Sequence, residues 1–359
     1  MLYYLLYQFH DSFSALNVFR YITFRSALAI ITSFSASIIL GPWIIRKLIF
    51  LKIGQNVRQE EYMSLHQHKQ GTPTMGGILI LFSILLSVFL WADLSNKYVL
   101  LTALTCIWLG AVGFADDYIK ITKKGSKGLS ARQKLLWQLG LGIVIGLFIY
   151  LDPTTTTRLD VPFLKKAAID IGLFYIPLVI LILVGASNAV NLTDGLDGLA
   201  IGSVLMVAFT LSILSYLTGH IKLSEYLFIP YVSGTGELTV FCAAIFGASL
   251  GFLWFNCHPA MVFMGDVGSL ALGGTLGIIA VFIKKELLLV VMGGIFVLEA
   301  LSVILQVASF KLRKKRIFKM APLHHHFEKM GWPESRVIIR FWIIAIILAL
   351  ITLTTLKLR

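Results

Sequence analysis

Long unbroken apolar runs are the feature that most constrains this chain of 359 residues. About 20 apolar residues in a helix cross the hydrocarbon of a bilayer, where the backbone must satisfy its own hydrogen bonds. Barrel strands would alternate apolar and polar residues instead. Only 14% of the residues are charged, too few for the surface of a soluble domain of this length. The sequence therefore predicts an all-α, polytopic helical membrane protein, with one integral membrane domain over 1–359.

The apolar runs predict about ten transmembrane helices joined by polar connections. The ninth run contains Gly293, Gly294 and Glu299, so we expect a kink or a break there. The mixed segment before Ile22 lacks the pattern of a removable signal peptide. The predicted spans are 22–45, 75–92, 98–115, 133–151, 168–187, 199–217, 238–256, 269–283, 287–310 and 338–356.

Basic residues are concentrated on one side of these spans, which holds 20 of the 31 Lys and Arg residues. The richer side is predicted to be cytoplasmic, which places both termini outside the cytoplasm of a bacterial inner membrane. The net charge of +13 does not indicate nucleic acid binding, because it lies in loops between spans. There it suits topology and contact with membrane lipids or anionic substrates. The inward loops also hold nearly every polar cluster, so we expect a cytoplasmic active-site cleft.

Three acidic residues lie at the inward ends of predicted spans. Asp116 and Asp117 follow the apolar run ending at Ala115, and Asp266 stands between glycines in a loop without a cation. Adjacent carboxylates repel one another unless a cation is near. They predict a magnesium site or a base for an incoming phosphate, since Mg²⁺ prefers carboxylate oxygens and phosphates. The alternatives are a solvated helix end for the pair and a helix cap for Asp266.

The segment Asn188–Gly198 holds two amides, a hydroxyl, two carboxylates and two glycines, and no basic residue. In one helical turn, Asp194 and Asp197 would share a face. Gly195 and Gly198 would permit close approach of a ligand to the backbone. An ordinary turn is the alternative, but the density of acceptors favours a ligand-binding loop.

Three consecutive histidines, His324, His325 and His326, lie in the last inward loop. They point in different directions on any regular backbone, which disfavours joint binding of one metal. We interpret them as donors to phosphate or sugar that exchange protons near neutral pH. In the first inward loop, Lys69 is a candidate point charge for a phosphate.

Five motifs in order resemble the phospho-N-acetylmuramoyl-pentapeptide-transferase branch of the polyprenyl-phosphate N-acetylhexosamine-1-phosphate transferase family. The resemblance implies ten helices, a homodimer and a cytoplasmic cleft. It also implies a magnesium-dependent reaction in which UDP-MurNAc-pentapeptide and undecaprenyl phosphate give lipid I and UMP. The motifs are Gly71–Gly77, Asp116–Asp117, Asn188–Ala200, Phe263–Ser269 and His324–His326.

The resemblance further implies roles for individual residues. It assigns Asp266 to the metal, and Asp116 and Asp117 to the attacking phosphate or to the metal. It makes His324–His326 a substrate-binding or catalytic loop that separates this branch from relatives using UDP-GlcNAc. The residues implied to surround the uridine and diphosphate are Lys69, Thr74, Asn188, Asn191, Asp194, Asp197 and Phe263.

A secondary transporter for a phosphorylated solute is the alternative of another class. Broken helices and intramembrane carboxylates such as Glu299 occur in transporters, whose sites lie near the midplane. Acids in the loops of one face favour an enzyme, and we interpret Glu299 as a satisfied polar residue or a kink partner. A relative that uses UDP-GlcNAc is the alternative within the enzyme class. Direct attack by the lipid phosphate, oriented or deprotonated by Asp117, and a covalent aspartyl intermediate both stay open.

Overall fold

The computed structural model describes residues 2–51, 71–123, 128–162 and 168–357. Its α-helices are α1 (Leu2–Gln8), α2 (Ile22–Phe50), α3 (Gly77–Trp91), α4 (Lys97–Thr122), α5 (Ala131–Leu151), α6 (Tyr175–Thr193), α7 (Leu199–Thr218), α8 (Ile221–Tyr226), α9 (Leu238–Asn256), α10 (Gly265–Phe282), α11 (Glu286–Met292), α12 (Gly294–Arg313), α13 (Leu323–Lys329) and α14 (Glu334–Thr354). Two strands, β1 (Arg158–Asp160) and β2 (Ala168–Asp170), pair antiparallel.

Each predicted span contains a helix. Within the described ranges, nine helices are long and apolar enough to cross a membrane, and the shorter apolar α3 lies at the second predicted span. The polytopic helical fold is therefore confirmed. Several helices extend beyond the predicted span ends; for example, α4 continues to Thr122 and α10 begins at Gly265. Hydropathy marks the apolar run, whereas helical hydrogen bonding continues through the carboxylates beside it.

The fifth predicted span begins too early and ends too soon. Residues 168–170 form strand β2, in which Ile169 lies opposite Leu159 of β1. Helix α6 then begins at Tyr175 and ends at Thr193, which places Asn188 and Asn191 on a helix instead of a loop. A short apolar run alone does not distinguish a strand from a helix segment, which explains the wrong start.

The predicted break in the ninth span is confirmed, because α11 ends at Met292 and α12 begins at Gly294. Gly293 and Gly294 have no side chains to pack the helix surface, and such pairs are common sites of kinks. Leu348 of α14 lies where a side chain on Gly294 would stand.

Helix α10 lies at the centre of the bundle. In its apolar stretch, 89% of the residues are buried inside the protein, compared with 22% in α12. Most of the surface of α12 is therefore available for contact with lipid. Small residues allow this central position. A Cβ at Gly273 would meet the main chain of Ala186 in α6, and one at Gly113 of α4 would overlap the main chain of Asp266. The helices that carry the polar motifs are therefore packed backbone against backbone.

One end of the bundle, which we call the hairpin end, carries β1 and β2 and is held by ion pairs of one acid with one base. Lys285 Nζ lies 2.6 Å from Asp160 Oδ2, and both side chains are buried. A second buried pair joins α2 to the start of α9, where Arg25 Nη2 lies 2.6 Å from Glu237 Oε1. The more exposed Lys97 lies 2.5 Å from Asp152 Oδ2.

Candidate active site

At the opposite end, which we call the acidic end, two distant segments pair through their backbones. The N–H of Phe263 donates to Pro73 O, and the N–H groups of Gly76 and Gly77 donate to Phe263 O and Met264 O, each at 2.8 Å. A Cβ at Gly77 would overlap the main chain of Gly268. The N-termini of α3 and α10 therefore lie side by side.

The three predicted acids converge next to this pairing. The contact of Gly113 with the Asp266 main chain brings the last turns of α4 against the first turn of α10. Asp116, Asp117 and Asp266 each offer a carboxylate oxygen, and these oxygens all lie within 4.8 Å of one another. Asp116 and Asp117 are buried, although the sequence also allowed a solvated helix end. Asp266 lies in the first turn of α10 and is not its N-cap residue. The N-cap is Met264, which makes no side-chain capping hydrogen bond.

Two lysines lie among the three carboxylates. Lys120 Nζ is 2.6 Å from Asp116 Oδ2, 3.3 Å from Asp117 Oδ1 and 3.2 Å from Asp266 Oδ2. Lys134 Nζ, from α5, is 3.0 Å from Asp116 Oδ2 and 2.5 Å from Asp266 Oδ2. The loop around Asp266 offers no cation of its own, and its neutralising cations come from other helices. Three carboxylates and two ammonium groups leave the cluster with a formal charge of −1.

Backbone donors fix two of these carboxylates. The N–H of Leu129 donates to Asp116 Oδ1 at 2.7 Å, and the N–H of Val267 donates to Asp117 Oδ2 at 3.3 Å. Hydrogen bonds from N–H groups favour the ionised carboxylate. The geometry thus holds one oxygen of each carboxyl group in place and leaves the other oxygen toward the lysines.

The two predicted amides differ in what they contact. Asn191 Nδ2 donates to Asp266 Oδ1 and to Ser269 Oγ, both at 2.8 Å. Asn188 Nδ2 donates to Gln138 Oε1 at 3.0 Å and to Val184 O at 2.8 Å. Asn191 therefore orients the acid cluster directly, whereas Asn188 binds α6 to α5.

Asp194 lies where α6 ends, close to the acid cluster. Burial raises the pKa of its carboxyl group well above the ordinary value, and the negative charges of Asp266 and Asp117 raise it further. A hydrogen bond from the backbone of Gly265 acts in the opposite direction. Burial and the neighbouring negative charges thus favour the protonated form of Asp194 more than water would.

Asp197 faces a different set of partners. Its Oδ2 accepts the N–H of Ala260 at 3.0 Å and lies 3.2 Å from His258 Nδ1. Its own N–H donates to Glu334 Oε1 at 2.9 Å. The condition under which Asp194 and Asp197 would share a helical face is not met, because residues 194–198 form a turn that ends with Gly198 at φ 78°.

The three histidines lie in the short helix α13 and point in different directions, as predicted. His324 is buried, with Nδ1 3.3 Å from Glu299 Oε2. His325 Nδ1 lies 2.8 Å from Glu328 Oε2, and His326 Nδ1 accepts the N–H of Lys319 at 3.1 Å. A Cβ at Gly195 would overlap Nε2 of His324, so this ring lies against the turn after Asp194.

The remaining predicted residues lie around the backbone pairing of residues 73–77 with residues 263–264. The hydroxyl of Thr74 and the carboxylate of Asp117 both lie against Gly265. A Cβ built on Gly265 would be 2.9 Å from Thr74 Oγ1 and 2.6 Å from Asp117 Oδ2. Phe263 is half-buried and anchored through its backbone to Pro73. Lys69 lies outside the described residues.

The acid cluster fits a divalent metal by the chemistry of its donors. Hard carboxylate oxygens with an uncompensated negative charge are the ligands that Mg²⁺ prefers. A second group among the described residues also has ligand atoms within 4.8 Å of one another, and it includes an imidazole. Its members are Asp197, His258 and Glu334.

Several residues of the site were not singled out by sequence reasoning. Lys120 follows Asp116 by four residues, and this helical spacing was a usable signal because such pairs face each other. Lys134 and His258 reach the site from other elements, and nothing in their local sequence indicates it. Glu299 was interpreted as a satisfied polar residue or a kink partner, and its Oε1 accepts the backbone N–H of His324.

Comparison with known proteins gives full-length similarity. A family model described as glycosyl transferase family 4 matches residues 98–284, and a phospho-N-acetylmuramoyl-pentapeptide-transferase signature matches residues 69–81. Proteins named phospho-N-acetylmuramoyl-pentapeptide-transferase are 54% identical in Desulforapulum autotrophicum and 55% identical in Citrifermentans bemidjiense and Geobacter sp. strain M21. Each alignment covers 100% of this chain and of the relative. The motifs, the fold and this similarity together show that the chain belongs to the phospho-N-acetylmuramoyl-pentapeptide-transferase family.

Proposed function

We propose that the protein transfers phospho-MurNAc-pentapeptide from UDP-MurNAc-pentapeptide to undecaprenyl phosphate, giving lipid I and UMP. This is the first membrane step of peptidoglycan synthesis. The observation that carries the proposal is the convergence of Asp116, Asp117 and Asp266 with two lysines at one end of the helices. Full-length identity of 54–55% to proteins named for this activity supports it.

Phosphoryl transfer depends mainly on positioning and on charge stabilisation, and the residues of the acidic end supply both. In the proposed reaction, an oxygen of the lipid phosphate attacks the β-phosphorus of the donor. The bond from that phosphorus to the bridging oxygen breaks, and UMP leaves with the bond's electron pair. Asp117 orients or deprotonates the attacking phosphate, while Lys120 and Lys134 stabilise negative charge on the phosphates.

Magnesium is the proposed cofactor, with Asp117 and Asp266 as its ligands. A bound Mg²⁺ would supply Lewis-acid neutralisation of the diphosphate. Hydrogen bonds orient both proposed ligands. Asn191 Nδ2 donates to Asp266 Oδ1 at 2.8 Å, and the N–H of Val267 donates to Asp117 Oδ2. Donor binding is proposed for the surrounding polar set, which comprises Lys69, Thr74, Asn188, Asn191, Asp194, Asp197, Phe263, His324, His325 and His326.

The cellular arrangement is part of the proposal. The concentration of Lys and Arg at the acidic end favours a cytoplasmic site in the bacterial inner membrane, with both termini on the other side. A homodimer within the membrane lipids is proposed from the family resemblance. The position of the acids argues against a transporter, because Asp116 and Asp117 lie near the end of α4 and Asp266 lies at the start of α10.

The test is UMP release by purified protein in detergent with undecaprenyl phosphate. We expect release with UDP-MurNAc-pentapeptide and magnesium, little with UDP-GlcNAc, and none after chelation. A transporter would release no UMP. Preference for UDP-GlcNAc would replace the proposed donor with that of the other branch.

A second measurement decides between the two mechanisms. Protein is incubated with labelled UMP and UDP-MurNAc-pentapeptide in the absence of lipid phosphate. Direct attack predicts no label in the donor, because the reverse reaction needs the lipid product. Incorporation of label would indicate a covalent aspartyl intermediate instead.

A further inference from the structure

Glu299 is a fully buried carboxylate in the middle of α12, away from the acid cluster. Burial of a carboxylate is costly unless it is hydrogen-bonded or paired. Its contacts are with one residue of the histidine run. Oε1 accepts the backbone N–H of His324 at 3.2 Å, and Oε2 lies 3.3 Å from Nδ1 of the same ring. The carboxylate therefore hydrogen-bonds the backbone of His324 and lies beside its ring, without a hydrogen bond between Oε2 and Nδ1.

This contact determines where the other ring nitrogen lies. With Nδ1 facing Glu299, Nε2 faces the opposite way, against Gly195, where a Cβ would overlap it. Gly195 directly follows Asp194, whose carboxyl group interacts with Asp266 and Asp117. The imidazole thus bridges α12 and the turn that borders the acid cluster.

The contact also sets the hydrogen-bonding character of Nε2. A carboxylate only accepts, so its negative charge 3.3 Å away favours the proton on Nδ1, although the two atoms are not aligned for a hydrogen bond. In the neutral ring, Nε2 is then a hydrogen-bond acceptor. In the protonated ring, Nε2 is a donor, while Glu299 still lies beside Nδ1. The neighbouring histidines use other partners, since His325 pairs with Glu328 and His326 accepts the N–H of Lys319.

Resting on the proposed function, we propose that Glu299 is a positioning residue for the transfer, acting through His324. It favours one orientation and one tautomer of the ring, in which Nε2 lies against Gly195 in the turn where we propose that the donor substrate binds. This assigns the run of three histidines unequal roles. His324 is controlled from within a membrane span, whereas His325 and His326 are held by their own loop.

The first experiment is Glu299→Gln in the full-length protein. Glutamine keeps the size and the oxygen that accepts the His324 N–H, but its NH₂ group would face Nδ1 and reverse the tautomer. We expect kcat for UMP release to fall roughly 10- to 100-fold, as for other partners that orient a functional histidine. The matched control is Glu286→Gln, a buried carboxylate at the hairpin end that bonds Tyr175. We expect it to leave kcat unchanged, and thermal unfolding of both variants is measured alongside.

A double-mutant cycle separates positioning from general support of the fold. If Glu299 acts through His324, then Glu299→Gln combined with His324→Ala will be no slower than His324→Ala alone. Multiplied losses would overturn the proposal, as would wild-type kcat in Glu299→Gln. Absence of UMP release by the wild-type protein would contradict the proposed function itself. That failure is therefore distinguishable from failure of the role proposed for Glu299.

A second pair of variants tests the same claim without altering Glu299. His324→Asn retains a donor near the place of Nδ1 and removes Nε2, whereas His324→Gln retains a polar group near the place of Nε2. We expect the glutamine variant to keep more activity than the asparagine variant. The opposite order, with both proteins folded, would show that the nitrogen facing Gly195 is not used.

Discussion

The two ends of the bundle both contain charged side chains removed from water, but they balance those charges differently. At the hairpin end, Lys285 pairs with Asp160 and Arg25 pairs with Glu237, one acid to one base. At the acidic end, three carboxylates share Lys120 and Lys134, which leaves an excess of negative charge. Buried charges are tolerated when paired. The balanced pairs therefore hold the fold, whereas the unbalanced cluster has capacity for one more cation.

The largest effect is expected from Asp266→Asn at the acidic end. The substitution should lower turnover by about a thousandfold or more, because it removes a proposed metal ligand and a fixed charge beside the reacting phosphates. Stability should not fall, since two carboxylates then match two ammonium groups. UMP release and thermal unfolding measure the two properties. Substantial activity in this variant would remove the metal assignment, and a large loss of stability would contradict the charge comparison.

The matching change at the hairpin end is Asp160→Asn. It leaves the buried ammonium of Lys285 without its carboxylate, and breaking a buried pair costs about 3–5 kcal/mol. We expect the unfolding temperature to drop markedly while UMP release per folded molecule stays the same. A variant with unchanged stability would show that the hairpin end is not held by this pair.

A smaller effect is expected from Lys134→Gln, which removes one of the two ammonium groups from the acid cluster. Turnover should fall roughly a hundredfold, at the lower end of what is typical for loss of one electrostatic donor. The magnesium concentration for half-maximal activity should also fall, because the excess negative charge increases. A magnesium titration of UMP release measures both quantities. A raised magnesium requirement would mean that Lys134 supports the metal instead of competing with it.

The smallest effect concerns Asp152 at the hairpin end. A hydrogen bond from Lys97, aided by Thr154, lowers the pKa of Asp152 from 3.8 to about 2. Because the folded pKa is lowered, the stabilisation is present above about pH 4 and is lost as the pH falls toward 2. Lys97 is partly exposed, so we expect only about 0.2–1 kcal/mol at neutral pH.

The unfolding temperatures of wild-type protein and Asp152→Asn, compared across this pH range, check the prediction. The difference between the two proteins should shrink on acidification. A difference that grows toward low pH would contradict a lowered pKa of Asp152 in the folded protein.

The sequence predicted the helices well, because long apolar runs in a membrane protein leave few other structures. It predicted the ends poorly. Asp116 and Asp117 were placed just beyond a span, but α4 continues through them to Thr122. Lys120 and Lys134 both contact Asp116 there. Hydropathy registers the charge of a residue and not the partner that reaches it from another helix.

The convergence of the acids was also predicted, since they share the inward ends of the spans. The directions of individual side chains were not. Asp194 faces the acid cluster and Asp197 faces His258, because a turn separates them where a helix was expected. The contact of Glu299 with His324 joins residues 25 positions apart through a loop, and no periodic pattern indicates such a contact.

The close approach of Gly113 to the main chain of Asp266 has a consequence for how this site can change. With no side chain between them at this point, the two helices approach to main-chain contact. Even one methyl group at Gly113 would wedge the helices apart and move the carboxylates of α4 away from Asp266. The spacing of the acid cluster thus depends on a residue that offers no oxygen to it.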